Sequence, residues 1–169
     1  FGTDYAGVVE AVGSNVTKLK PGDEVFGART GSMAQYVTAK ADRSIVRKPA
    51  NITFEQAAAI PIAAVTALQG LRDQGRLQPG QKVLINGASG GVGTFAVQIA
   101  KGLGAEVTGV CSTRNVELVQ SLGADHVIDY TSEPQWGDIA RRLTDGARGV
   151  DLVVEVGGPG TFDQSVAAL

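Results

Sequence analysis

The chain has 169 residues, 43% of them hydrophobic, and 15 Lys and Arg against 17 Asp and Glu give a net charge of −2. That length suits one domain or a little more with apolar content for a core, and the near balance of charge argues against nucleic acid or an acidic membrane surface as the main partner. No apolar run approaches the ~18 residues of a membrane span and no signal-peptide pattern opens the sequence; the single cysteine, Cys111, excludes an internal disulfide framework and points to a reducing, cytoplasmic setting.

In chain order, four short β segments come first: Tyr5–Val12, Glu24–Phe26, Ala34–Thr38 and Ile45–Val46. Turn signals such as Gly13-Ser14-Asn15 and Pro21-Gly22-Asp23 separate them. Organisation changes near Pro49-Ala50-Asn51, so the boundary is placed between residues 50 and 51. Beyond it, Thr53 and Gln56 have the spacing of a capping box that starts a helix. Pro61 interrupts that helix, and a second one ends near Leu71.

The next segment is the most informative. Lys82 to Gly93, KVLINGASGGVG, is an apolar strand running into a glycine-rich turn, and Thr94–Leu103 continues as a helix with apolar residues at helical spacing. Such a junction aims bare backbone N–H groups, at the positive end of a helix, at whatever lies beyond it. A pyrophosphate fits there. The strict Gly-x-Gly-x-x-Gly pattern is broken by Ala88, but Gly90 allows close backbone approach and Gly93 allows tight packing of helix on strand. Strands at Glu106–Cys111, Asp125–Asp129 and Gly149–Val156 alternate with helical stretches at Asn115–Leu122 and Trp136–Leu143. That alternation predicts a parallel, doubly wound sheet of Rossmann type, with the first and fourth strands adjacent at the ligand's crevice and Gly157-Gly158 facing it.

The tip of the second strand discriminates between dinucleotides. A carboxylate there would hold the ribose 2′-OH of NAD. The sequence instead has Cys111-Ser112-Thr113-Arg114-Asn115, and a hydroxyl with a guanidinium suits a 2′-phosphate, so NADPH is the expected cofactor. Ser112 or Thr113 also has the chemistry of a helix cap, which is compatible with phosphate binding.

Four stretches, Gly2 to Gly27 (GTDYAGVVEAVGSNVTKLKPGDEVFG), Ala57 to Leu68 (AAAIPIAAVTAL), the glycine turn, and Ser121 to Glu133 (SLGADHVIDYTSE), resemble the zinc-independent branch of the medium-chain dehydrogenase/reductase superfamily, the quinone oxidoreductase and enoyl reductase-like group. The resemblance implies part of a GroES-like β-barrel substrate domain over residues 1–50, followed by a partial Rossmann domain over 51–169. It implies cofactor contacts at Ser89, Gly91 and Val92, with Gly90 in the same turn. Further contacts are implied at Ser112 by the 2′-phosphate, to which the charge reading above adds Arg114, at Tyr130 by the adenosine and at Thr66 by the nicotinamide half. For Tyr130, plain packing with a wet hydroxyl is an equal alternative.

The family's zinc-ligand motif Gly-His-Glu stands here as Gly2-Thr3-Asp4, and one cysteine with one histidine, His126, cannot form the usual zinc sites. No metal is expected, and Asp4 and His126 are read as structural. Short-chain dehydrogenases, the nearest rivals in fold, need a Tyr-x-x-x-Lys pair after the fourth strand, and no such pair is expected from Tyr5, Tyr36 or Tyr130. The implied activity is hydride transfer to a small-molecule acceptor, a quinone or an α,β-unsaturated carbonyl. The alternative is a crystallin-like or redox-sensing protein that binds the dinucleotide without turnover. Both ends look cut, which gives the expectation of an internal piece of a longer enzyme, a homodimer or a synthase module. Its proton donor then lies outside this sequence, so no catalytic residue is assigned, and the piece alone need not be active.

Overall fold

A computed structural model describes residues 1–169, the side chain of Pro159 excepted. It divides into two compact units, Phe1–Val65 and Thr66–Leu169. In the first, strands β1 (Asp4–Val8), β2 (Glu24–Ala28) and β3 (Ile45–Arg47) form an antiparallel sheet in that order. The Asp23 carboxylate is buried just ahead of β2, where it accepts the N–H of Lys20 and pairs with Lys20 at 2.9 Å and Arg47 at 3.0 Å. One buried charge with several donors thereby ties the turn before β2 to β3.

Helix α1 (Phe54–Ala58) opens on the expected capping box, with Gln56 N donating to Thr53 Oγ1 at 3.2 Å and Thr53 N to Gln56 Oε1 at 2.9 Å. It packs on β1 and β2, and the Asp4 carboxylate accepts the N–H of Ile62 at 3.0 Å, in the first turn of α2 (Pro61–Leu68). Those contacts hold residues 51–65 to the first unit, although the composition shift comes at residue 50. The segment Ala34–Thr38 has strand-like composition but forms no strand: it pairs with no neighbour among the described residues. Past Leu68 the chain widens into a π-helical turn, Gln69–Gln74, closed by Gly75 N to Gly70 O at 2.8 Å.

The second unit holds a four-stranded parallel sheet in the order β6 (His126–Asp129), β5 (Glu106–Cys111), β4 (Lys82–Asn86), β7 (Leu152–Glu155). In β4 and β7 the strands are short apolar runs, Val83-Leu84-Ile85 and Leu152-Val153-Val154, because both faces of the sheet are covered. On one face Val83, Ile85 and Val107 pack with Ala96, Val97 and Ala100 of α3 (Gly91–Gly102) and Val119 of α4 (Val116–Ser121). On the other, Leu84, Val110 and Ile128 meet Trp136 and Ala140 of α5 (Trp136–Arg142) and Ala168 just past α6 (Phe162–Ala167). The first and last strands, β4 and β7, are neighbours, as the doubly wound order requires. Register brings the strands' carboxyl ends to one edge: Asn86 lies opposite Val110 and Glu155, and Cys111 opposite Asp129. No helix among the described residues is long and apolar enough to cross a membrane.

At the opposite edge, Asp125 accepts the N–H of Val107 at 2.7 Å and pairs with Lys101 at 2.8 Å. Burial works to raise its pKa, but the bonds from Lys101 and Val107 prevail and hold the carboxyl below its usual 3.8. A depressed carboxyl contributes stability that is present above the unfolded-state pKa and lost as pH falls through the folded one. Asp125→Asn should therefore lower unfolding stability by about 1–2 kcal/mol at pH 7, with the difference from the parent shrinking below about pH 4. Denaturant melts of both proteins at the two pH values check it.

Candidate dinucleotide site

The chain leaves β4 at Asn86 and turns through Gly87, whose φ of +78° is accessible to glycine at little cost. Gly87 and Ala88 donate their N–H groups to the Val110 carbonyl at 3.2 and 3.0 Å, which pins the turn to the neighbouring strand. Gly90, in extended conformation, caps α3 without a side chain, and its own N–H is spent on the Gly87 carbonyl at 2.9 Å. A Cβ on Gly93 would run into the Gly87 carbonyl oxygen and the Ala88 backbone. Absence of that atom is what seats the helix start so close to the turn.

What remains is a set of donors. Among the described residues, no backbone or side-chain group accepts from the N–H of Ser89, Gly91 or Val92. The first N–H groups of a helix have no partner within it, and they stand at the positive end of its dipole. Nothing acidic lies in the first turn of α3 to occupy them. An anion with several oxygens fits these unspent amides.

The tip of β5 closes one side. Asn115 Nδ2 donates to Ser89 Oγ at 3.0 Å and to Ser112 Oγ at 3.2 Å, so the glycine turn and the next strand's tip are joined through one amide. Neither hydroxyl at this tip caps the following helix: Ser112 is taken by Asn115, and Thr113 donates to Asp129 at 2.6 Å. That bond from Thr113, with the N–H of Thr131, keeps the Asp129 carboxyl below its usual pKa. Arg114 is exposed and forms no ion pair among the described residues. Tyr130 follows β6 with its ring half exposed, and its N–H donates to the Cys111 carbonyl at 3.1 Å, which fixes it beside the same tip. Cys111 itself is buried, and burial first, then the Asp129 charge, pushes its thiol up, away from thiolate chemistry.

On the β7 side, Glu155 accepts from Asn86 Nδ2 at 2.9 and 3.0 Å, from Gly157 N at 2.7 Å, from Gly158 N at 3.2 Å and from Ser165 Oγ. Burial would raise its pKa, but these donors outweigh it and the carboxyl stays ionised. The Gly157 and Gly158 amides, expected to face a cofactor, are therefore committed to Glu155.

The structure thus gathers Ser89, Gly90, Gly91, Val92, Ser112, Arg114 and Tyr130 around the carboxyl ends of β4, β5 and β6. Thr66 lies exposed on α2, with no hydrogen bond to the turn. Tyr36 and Lys40 do have Tyr-x-x-x-Lys spacing, but both are exposed on an irregular segment of the first unit, outside the parallel sheet. Sequence reasoning missed Asn115, Asp129 and Glu155; the Asn three residues after Ser112 and the Glu just ahead of Gly157-Gly158 were the available signals.

Comparisons with known proteins identify the family. Residues 1–50 match the alcohol dehydrogenase GroES-like domain, and residues 91–169 match the family described as zinc-binding dehydrogenase. The chain belongs to the medium-chain dehydrogenase/reductase superfamily. It is 37% identical over 193 residues to a zinc-type alcohol dehydrogenase-like protein of Schizosaccharomyces pombe, covering 99% of this chain and 55% of that one. The crystal structure of the CurK enoyl reductase superposes with a TM-score of 0.93 at 35% identity, over 100% of this chain and 50% of that one. Mycobacterial Rv1454c, solved in complex with NADPH, superposes at 0.88 with 35% identity, over 99% of this chain and 53% of that one. This chain therefore spans about half the length of these relatives. Its first unit is part of a GroES-like barrel and its second a Rossmann-type sheet.

Gly93→Ala tests the seating of α3. The added methyl must displace backbone, so stability should fall by about 1–3 kcal/mol, read from urea unfolding. Gly102→Ala, at a site with open space around it, should not destabilise.

Proposed function

We propose that this chain carries the cofactor half of an NADPH-dependent, zinc-independent oxidoreductase, which passes hydride to a quinone or an α,β-unsaturated carbonyl acceptor such as an enoyl thioester. One observation carries the reading: the unspent amides of Ser89, Gly91 and Val92 open beside a β5 tip whose own residues offer hydroxyls and a guanidinium, the Asp129 carboxylate of the next strand being bonded to Thr113. The amides suit the pyrophosphate. Ser112 and Arg114 suit the 2′-phosphate, with Tyr130 beside the adenosine and Thr66 toward the nicotinamide half. The commitment of Thr113 to Asp129 gives that carboxylate a local donor and leaves the phosphate contacts to Ser112 and Arg114.

Bound nicotinamide would supply the hydride. The residues of this chain bind and orient, and the partner for a developing oxyanion belongs to groups this site does not contain. Zinc independence rests on the sequence, where Thr3 takes the place of a ligand histidine and cysteine and histidine occur once each. Likeness to an NADPH-bound structure and to an enoyl reductase supports both the cofactor and the acceptor class.

Titration of the purified chain with NADPH and NADH, followed by nicotinamide fluorescence, tests the reading. NADPH should bind more tightly, and Arg114→Asp should weaken NADPH by at least about tenfold while leaving NADH within about twofold, the loss of one charge-assisted contact. Equal effects on the two would make Arg114 a bystander, and no binding of either would overturn the reading. In the full-length parent, consumption of NADPH with 1,2-naphthoquinone or a crotonyl thioester identifies the acceptor; tight binding by that parent with neither consumed favours a non-catalytic dinucleotide protein.

A further inference from the structure

Ser89 and Ser112 stand on different loops, yet one side chain touches both hydroxyls. Asn115 Nδ2 has two hydrogens, and it lies 3.0 Å from Ser89 Oγ and 3.2 Å from Ser112 Oγ. Its own backbone N–H is held by the Ser112 carbonyl at 2.9 Å, so the side chain springs from a fixed 3₁₀ turn, Thr113–Asn115. A hydroxyl has one hydrogen and two lone pairs. When an amide occupies a lone pair, the O–H hydrogen remains free to donate elsewhere.

We propose that Asn115 is the positioning residue that sets phosphate preference in this cleft: by donating to Ser89 and Ser112 together, it turns both hydroxyls into donors toward the 2′-phosphate side. This rests on the dinucleotide reading above and deepens it. The charge at residue 115 then matters more than its size. An aspartate has the same shape but only acceptors; both hydroxyls would rotate to donate inward, and lone pairs and a negative charge would face the phosphate. A ribose 2′-OH, itself a donor, would tolerate that arrangement.

Two variants separate this role from a merely structural one. Asn115→Asp should raise the Kd for NADPH by at least about thirtyfold, with NADH unchanged within about threefold or tightened, a swing of roughly 2 kcal/mol in preference. Asn115→Leu, of similar size and without charge, should weaken NADPH by about five- to tenfold and leave NADH unchanged, the loss of hydroxyl ordering alone. The readout is the ratio of the two dissociation constants, which a loosened loop would not move because it weakens both ligands alike. Parallel losses for NADPH and NADH in both variants would overturn the proposal while leaving the dinucleotide reading standing. Binding of neither dinucleotide by the parent chain would overturn both. Should Asn115→Asp fail to fold, the Asn115→Leu ratio decides alone, and an unchanged ratio contradicts the role.

Discussion

The site depends on one steric fact, the contact between the start of α3 and the carbonyl of Gly87. Because residue 93 has no side chain, the helix begins almost on top of the turn, and the turn is pinned to β5 through two bonds to Val110. The amides of Ser89, Gly91 and Val92 are then fixed in direction and left without partners, where a helix dipole already favours negative charge. A looser helix start would let local carbonyls or water reach those donors. Rigid packing at Gly93 thus sets the direction of those free donors as well as seating the helix.

Two polar networks flank this cradle and do opposite work. On the β5 side, Asn115 donates to two hydroxyls and so joins them, while Arg114 stays free of ion pairs among the described residues. On the β7 side, Glu155 collects donors from Asn86, Gly157, Gly158 and Ser165 and consumes them. Unspent donors therefore lie on the β5 side, where the proposed reading puts the extra phosphoryl group, and donor saturation on the other. The Glu155 network instead holds the loop after β7 against the end of β4. That geometry suits a wall of the crevice rather than an anion contact.

Elements governed by local periodicity were readable in the sequence. The strands starting at Lys82 and Leu152 are apolar runs, those starting at Glu106 and His126 carry β-branched residues, and the helices between them show one-sided burial, so period and length place them. The capping box at Thr53 is equally local. What could not be read depends on partners distant in the chain. Ala34–Thr38 has strand-like composition, but a strand exists only with a neighbour to bond. The break in α2 at Leu68 follows from the π-helical closure onto Gly70, which a helical pattern running to Leu71 does not reveal. Asn115 and Glu155 acquire their roles only when the sheet brings together β4, β5 and β7, and Gly157-Gly158 reads as an open turn until the Glu155 carboxylate is seen to occupy its amides.

Backbone amide NMR gives the most direct test of the cradle. With ¹⁵N-labelled chain and saturating NADPH, the amide resonances of Ser89, Gly91 and Val92 should move downfield as they gain phosphate oxygens, while those of Gly87, Ala88 and Gly90, already bonded within the turn, should move little. Shifts confined to other loops, with those three amides unmoved in a chain that binds the nucleotide, would contradict the assignment of this turn as the pyrophosphate site.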